Sequence, residues 1–262
     1  MPEPKLPIGV NAKAAELLYT EQGSNHTIAV YARDNLRWMR FDDSEIQSVY
    51  DRSKPWHPFA SYCKSMLAAL CFCPEPKRVL NLGLGGGTFE RFFAAKLPNI
   101  KMTTVESCPT VIKLAKRYFQ LPSKIEIIQS SGWDFVRSSQ TKFDMIFIDL
   151  FDETGHLHCV EEAKFYEDLA LTTTDSGILV IDISPQEQDA LLSILLSIRA
   201  VFYHVHLCTD LESSNMILIC SRKPLPEPAE ALTRAAQLSH SMDIEFAGSI
   251  KRFSALPTPE QS

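Results

Sequence analysis

The apolar positions change rhythm twice along the chain. Between residues 27 and 50, short runs rich in β-branched and aromatic residues (27–31, 36–41 and 46–50) are separated by Arg33-Asp34-Asn35 and Asp42-Asp43-Ser44. Such runs and turn formers predict a small antiparallel meander. From 59 to 72 the apolar residues recur at helical intervals, and the pattern stops before Cys73-Pro74-Glu75-Pro76. Beyond Arg78 strands alternate with helices: apolar runs at 79–82, 101–105, 125–128, 143–148 and 177–182, with a helix at 89–95 after the first. That alternation predicts a mostly parallel sheet covered on both faces. Ser184, Pro185 and Glu187 predict the next helix start, with Ser184 as N-cap, Pro185 first in the helix and Glu187 completing a capping box. Two last strands, 203–208 and 215–220, are joined by residues 209–214 alone. A link so short cannot hold a crossover helix, so this pair is antiparallel.

The fold expected is therefore α/β: a doubly wound, mostly parallel, seven-stranded sheet with an antiparallel last strand, plus a small N-terminal antiparallel β meander. Residues 1–58 form the meander and its linker, 59–224 the Rossmann-like domain, and 225–262 a tail that is helical over 229–238. A doubly wound sheet finished by an antiparallel hairpin resembles the class I S-adenosylmethionine-dependent methyltransferase fold.

Composition narrows the partners. The 262 residues carry 26 Lys and Arg against 32 Asp and Glu, and the net charge of -6 argues against a grip on a phosphate backbone. A cationic partner is the natural one. The most apolar stretch, 191–208, is interrupted by Ser193, Ser197, Arg199 and His204, short of the ~20 residues that span a bilayer. The first residues lack the basic start and apolar stretch of a secretory signal, which predicts a cytoplasmic protein. Cys71 and Cys73 have no second closely spaced pair among the seven cysteines, so neither a zinc site nor a disulfide framework is expected.

Three groups of residues carry candidate chemistry. Asn81-Leu-Gly83-Leu-Gly85-Gly86-Gly87-Thr88 lies between a strand and a helix, where glycines let the backbone turn sharply and a ligand approach closely. Its spacing differs from the dinucleotide fingerprint, and no P-loop Lys-Ser/Thr follows. Glu106 ends the second strand about twenty residues on, where a carboxylate can accept both hydroxyls of a ribose. Asp149 and Asp152, with Glu153 beside them, follow the fourth strand, at the carboxyl edge where open α/β sheets bind ligands. Carboxylates there can deprotonate an amine and hold the rest of a polycation. His156 with His158, and His204 with His206, have metal-like spacing, but no acidic or Cys residue matches them as a further ligand, so no metal is expected. Trp38, Tyr50, Trp56 and Tyr62 are read mainly as core.

The ordered set of motifs, Val79 to Thr88, then Val105-Glu-Ser-Cys-Pro-Thr-Val-Ile with Ala115-Lys-Arg-Tyr-Phe, then Phe143 to Asp152, resembles the spermidine synthase (polyamine aminopropyltransferase) family, in particular its divergent spermidine-synthase-like branch. The resemblance implies that Gly83, Gly85 and Gly87 cradle an adenosyl donor and that Glu106 holds its ribose. It places Ser131 and Gly132 at the adenine, Asp149 as the residue that activates the attacking amine, and Asp152 and Tyr62 at the polyamine. It implies aminopropyl transfer from decarboxylated S-adenosylmethionine to an amine such as putrescine, with the donor a co-substrate rather than a tightly bound cofactor, and a homodimer. The chain departs from the family pattern at three places. Gly86 stands where the family's glycine turn has an aspartate, Ser131 where it has an acid, and Cys63-Lys64 where it has Gln/His-Glu. Methyl transfer from S-adenosylmethionine itself, or adenosyl binding without turnover, are the alternative readings on the same fold.

Overall fold

In the computed structural model residues 15–22, 27–42, 46–73, 75–152, 155–156, 158–185, 187–210 and 212–258 are described, with the backbone alone for 152, 155 and 156. Four strands come first: β1 (Glu16–Gln22), β2 (Thr27–Arg33), β3 (Leu36–Phe41) and β4 (Ile46–Asp51). Helix α1 (Ser61–Leu67) runs into a 3-10 turn at Ala68–Cys71. The alternating part follows as β5 (Arg78–Leu82), α2 (Thr88–Lys96), β6 (Lys101–Glu106), α3 (Pro109–Tyr118), β7 (Glu126–Gln129), α4 (Gly132–Ser138) and β8 (Phe143–Ile148). A two-residue hairpin, β9 (Phe151–Asp152) and β10 (Gly155–His156), precedes α5 (Ala163–Thr172), β11 (Thr173–Ile183), α6 (Gln188–Arg199), β12 (His204–Thr209) and β13 (Met216–Ser221). The chain then adds α7 (Pro228–Met242), α8 (Ala247–Ile250) and β14 (Ser254–Ala255).

The large sheet has the order β14-β12-β13-β11-β8-β5-β6-β7. β11, β8, β5, β6 and β7 are parallel, and β13 is inserted antiparallel between β11 and β12. Period-two alternation decides which side chain goes where. Val79, Met145, Phe147, Ile178 and Val180 pack with α1, α2 and α7 on one face. Leu80, Ile146, Ile148, Leu179 and Ile181 pack with α4, α5 and α6 on the other. The layers are those of the expected doubly wound α/β fold.

Differences from the sequence reading have local causes. The meander has four strands, because β1 pairs antiparallel with β2; Leu17 of β1 is exposed, so its apolar alternation is weak. An eighth strand, β14, pairs with β12 at the sheet edge through two exposed residues, too few for a hydrophobic pattern. The helix after β11 starts later than its capping-box signal. Its N-cap is Glu187, with no side-chain cap, while the Ser184 hydroxyl shares a 2.7 Å hydrogen bond with Ser214. α7 also outruns the expected 229–238, because Ala231, Ala235 and Met242 bury one of its faces against the core.

A third cluster joins the meander to the large sheet. Ile28, Val30, Met39 and Tyr50 pack against Val111, Leu114, Ala115 and Phe119 of α3 and its end, and Leu84 of the glycine turn lies among them. The small sheet thus sits directly behind the turn expected to hold a ligand.

Candidate active site

The glycines of the turn after β5 answer to the protein packed closely around them. Gly83 at φ +98 donates its N–H to the Val105 carbonyl at 2.9 Å, and a Cβ on it would overlap the Asp149 carbonyl oxygen. Only glycine fits there. Gly85 (φ +50) and Gly87 (φ +78) are also left-handed, and the Gly87 N–H closes the turn onto the Leu84 carbonyl at 2.8 Å. The Glu106 carboxylate locks the turn to β6: it accepts the Leu84 N–H at 3.1 Å on one oxygen and the Cys108 N–H at 2.8 Å on the other.

Gly86 explains one departure from the family pattern. Its N–H donates to the Ser48 hydroxyl of β4 at 3.0 Å. A Cβ on Gly86 would lie 2.5 Å from Ser48 Oγ and 2.9 Å from a ring carbon of Phe119. The space into which an aspartate would project is filled by the small sheet and the end of α3.

Under the turn lies a buried polar layer. Glu90 is fully buried and accepts hydrogen bonds on one oxygen from Asn81 Nδ2 at 2.8 Å and Thr104 Oγ1 at 2.6 Å, and Asn81 also donates to the Gly83 carbonyl at 2.6 Å. Burial pushes the Glu90 carboxyl upward. Arg91, 5% exposed, donates to the carbonyls of Pro55 at 2.7 Å, Phe119 at 2.9 Å and Gly86, and lies 4.4 Å over the Tyr50 ring. One guanidinium therefore ties the turn, the small sheet and the end of α3 together.

Asp149 follows β8, with its N–H donated to the Leu82 carbonyl at 3.0 Å, so it stands beside Gly83. Its half-buried carboxyl is raised from 3.8 to about 7, first by burial and then by the charges of Glu90 and Glu106. A carboxyl poised there takes a proton readily near neutral pH. Tyr62 of α1 is brought to the same place: burial first, then Asp149, pushes its phenol well above the usual range.

Two further acids gather here. Asp182, 1% exposed near the end of β11, accepts from Asn215 Nδ2 at 2.6 Å. Burial and the neighbouring Asp149 drive its carboxyl well above the carboxylate range. Asp210, 4% exposed just past β12, accepts from Ser61 Oγ at 2.7 Å and Ser213 Oγ at 2.8 Å. Sequence reasoning singled out neither. The readable signal for Asp182 was its place near the carboxyl end of an otherwise apolar strand, the same signal that marked Asp149.

The remaining candidates have other surroundings. Ser131 is the N-cap of α4, accepting the Asp134 N–H at 3.1 Å and donating to the Asp134 carboxylate at 2.7 Å; Gly132 follows it with room for a Cβ in ordinary contact with Leu150. Asp152 pairs through its backbone with Gly155, and Glu153 lies outside the described residues. Lys64 is half-buried and acts on His57, whose imidazole is lowered by burial first and then by this cation. Trp38 and Tyr50 are buried in the small sheet, and His206 is buried with its ring edge-on to Phe72.

A doubly wound sheet with a glycine turn after β5, an acid ending β6 and an aspartate just after β8 defines a protein of the class I methyltransferase fold. Residues 62–210 match the model of the spermine/spermidine synthase domain, and the chain belongs to that family. It is 31% identical over 156 residues to a polyamine aminopropyltransferase of Chromobacterium violaceum, a match that takes in 58% of this chain and about three fifths (60%) of that relative's length. Among solved structures, a probable spermidine synthase from Corynebacterium glutamicum superposes with a TM-score of 0.73 at 19% identity, over 85% of this chain and 86% of that one. Human methyltransferase-like protein 13, solved in complex with SAH, superposes with a TM-score of 0.65 at 21% identity, over 70% of this chain and 93% of that one.

Proposed function

We propose that the chain transfers an aminopropyl group from decarboxylated S-adenosylmethionine to a primary amine. The observation that carries this reading is Asp149: a carboxyl at the strand end, raised to about 7 by burial and by two neighbouring acids, beside a turn whose Gly83 and Gly85 are partly exposed. The residues fit an adenosyl sulfonium compound, since Gly83 and Gly85 are only partly buried, a Cβ at Gly85 would meet nothing closer than 3.8 Å, and Glu106 ends β6 beside the turn. That co-substrate supplies an electrophilic carbon next to a positively charged sulfur. The amine nitrogen forms the new bond to that carbon as the carbon–sulfur bond breaks, and the sulfur leaves as a neutral thioether. Asp149 accepts the proton that the nitrogen loses. Tyr62, near enough to Asp149 for its charge to act on the phenol, is assigned to hold the amine in line, and Ser131 and Gly132 to border the adenine. Asp152 is assigned to the amine from the family pattern.

The test is to incubate the protein with the decarboxylated donor and an amine, and in parallel with S-adenosylmethionine and the same amine. Methylthioadenosine released only when amine is present is the expected result. S-adenosylhomocysteine in the parallel reaction would make the protein a methyltransferase, and no nucleoside product in either would leave an adenosyl-binding protein.

A further inference from the structure

The resemblance places Asp152 at the polyamine, and two buried acids reach the same edge from other elements. Asp182 and Asp210 are 1% and 4% exposed and reach the site from β11 and from the β12–β13 connection. Asn215 couples them, donating its side-chain amide to Asp182 at 2.6 Å while its carbonyl accepts the Asp210 N–H at 2.9 Å. Ser61, next to Tyr62, closes the other side by donating to Asp210 at 2.7 Å. On each of the two aspartates the second oxygen, Oδ1, is buried without a partner among the described residues. The charged groups acting on Asp182 are Asp149 and Asp210, both acidic. No ion pair to any of these three aspartates is formed among the described residues.

Buried carboxylate oxygens without a donor are costly, and a cation that supplies several N–H donors removes the cost. An alkylammonium has three such donors. We propose that Asp182 and Asp210 form a second ammonium site next to Asp149, and that they, rather than Asp152, select an acceptor with a second positive charge. The acceptor class is then a linear diamine or longer polyamine, with one nitrogen at Asp149 and the next in the Asp182–Asp210 site. This inference rests on the aminopropyl-transfer reading for the identity of the reacting nitrogen. The site itself is read from the two partnerless oxygens.

The test compares 1,4-diaminobutane with butylamine, which has the same chain length and one charge fewer. Both are titrated by calorimetry into the full chain saturated with methylthioadenosine, using the unaltered protein and the variants Asp182→Asn, Asp210→Asn and Asp152→Asn. Folding of each variant is checked by thermal unfolding. The unaltered protein should bind the diamine about tenfold or more tightly than the monoamine, the effect of charge-assisted hydrogen bonds at the far end. Asp182→Asn should bring that ratio close to one by weakening the diamine far more than butylamine, and Asp210→Asn, which keeps the proposal testable if the first variant does not fold, should lower it. A ratio near one in the unaltered protein, or a ratio that survives both variants, overturns the site. So does a ratio lost in Asp152→Asn but kept in Asp182→Asn. Turnover with the decarboxylated donor is measured alongside: a high ratio without turnover supports the site and overturns the transfer reading, whereas turnover with equal use of both amines does the reverse.

Discussion

Replacing Gly86 with Ala tests the packing behind the glycine turn. The φ of Gly86 is not in the left-handed region, so the substitution brings no backbone strain and its cost is steric. The new methyl would lie 2.5 Å from Ser48 Oγ and 2.9 Å from a ring carbon of Phe119. The serine hydroxyl can rotate away, but only by giving up the 3.0 Å hydrogen bond it accepts from the Gly86 N–H. Phe119 is fully buried and has no free direction. Losing one neutral hydrogen bond costs about 1 kcal/mol, and overpacking by one methyl costs about 1–3 kcal/mol. The sum, about 2–4 kcal/mol, lowers Tm by roughly 5–15 °C in a chain of this size. The assay is thermal and urea unfolding of Gly86→Ala, Ser48→Gly and the double variant, followed by circular dichroism. Ser48→Gly removes both the hydroxyl and the Cβ, so the double variant should be more stable than the two single effects predict when added, by about 1 kcal/mol or more. A Gly86→Ala protein that melts within a degree of the original would refute the packing argument, and strict additivity would refute the role given to Ser48. A carboxylate at 86 meets the same obstruction, so Gly86→Asp should not recover the family's aspartate in working position.

Glu106→Ala removes the acceptor of two backbone N–H groups in the turn. It should weaken methylthioadenosine binding by about 1–3 kcal/mol in calorimetry; unchanged affinity would take Glu106 out of the ligand's reach. Asp149→Asn should lower kcat far more than it weakens thioether binding, and in the unaltered protein kcat/KM should rise with pH through about 7, where the Asp149 carboxyl gives up its proton. Because that carboxyl titrates higher in the folded protein than in the unfolded chain, the native state holds the extra proton and stability declines as pH rises from about 4 to about 7. Urea unfolding should show a part of this decline, up to a few kcal/mol, that is missing in Asp149→Asn; an equal pH slope in both proteins would show that Asp149 is not held protonated.

Much of this was legible because two signals are strong in the sequence. Strands buried on both faces read as continuous apolar runs, and a residue that ends such a run, as Asp149 does, is placed at the sheet's edge whatever the rest of the chain does. The glycine turn was readable for the same local reason. What stayed hidden depends on contacts between distant residues. Ser48 gives no sign in the sequence of standing behind Gly86, and nothing in the helix pattern at 89–95 marks Glu90 and Arg91 as the charged residues that the fold buries. Asp210 looked like a turn residue between two strands until Ser61 and Asn215 closed around it. The capping-box signal at Ser184 misled because Ser214, on the neighbouring hairpin, engages that hydroxyl.

The Arg91 guanidinium makes the shape of the turn depend on segments far along the chain. Its acceptors, the carbonyls of Pro55, Gly86 and Phe119, lie 36, 5 and 28 residues away. The Pro55 and Phe119 contacts each close a long loop, at a cost in chain entropy that the local contact to Gly86 does not carry. The apolar faces of the parallel strands are buried without this side chain. A variant destabilised at the small sheet is therefore expected to lose its ligand before its core, with methylthioadenosine binding lost at a lower urea concentration than the helical circular dichroism.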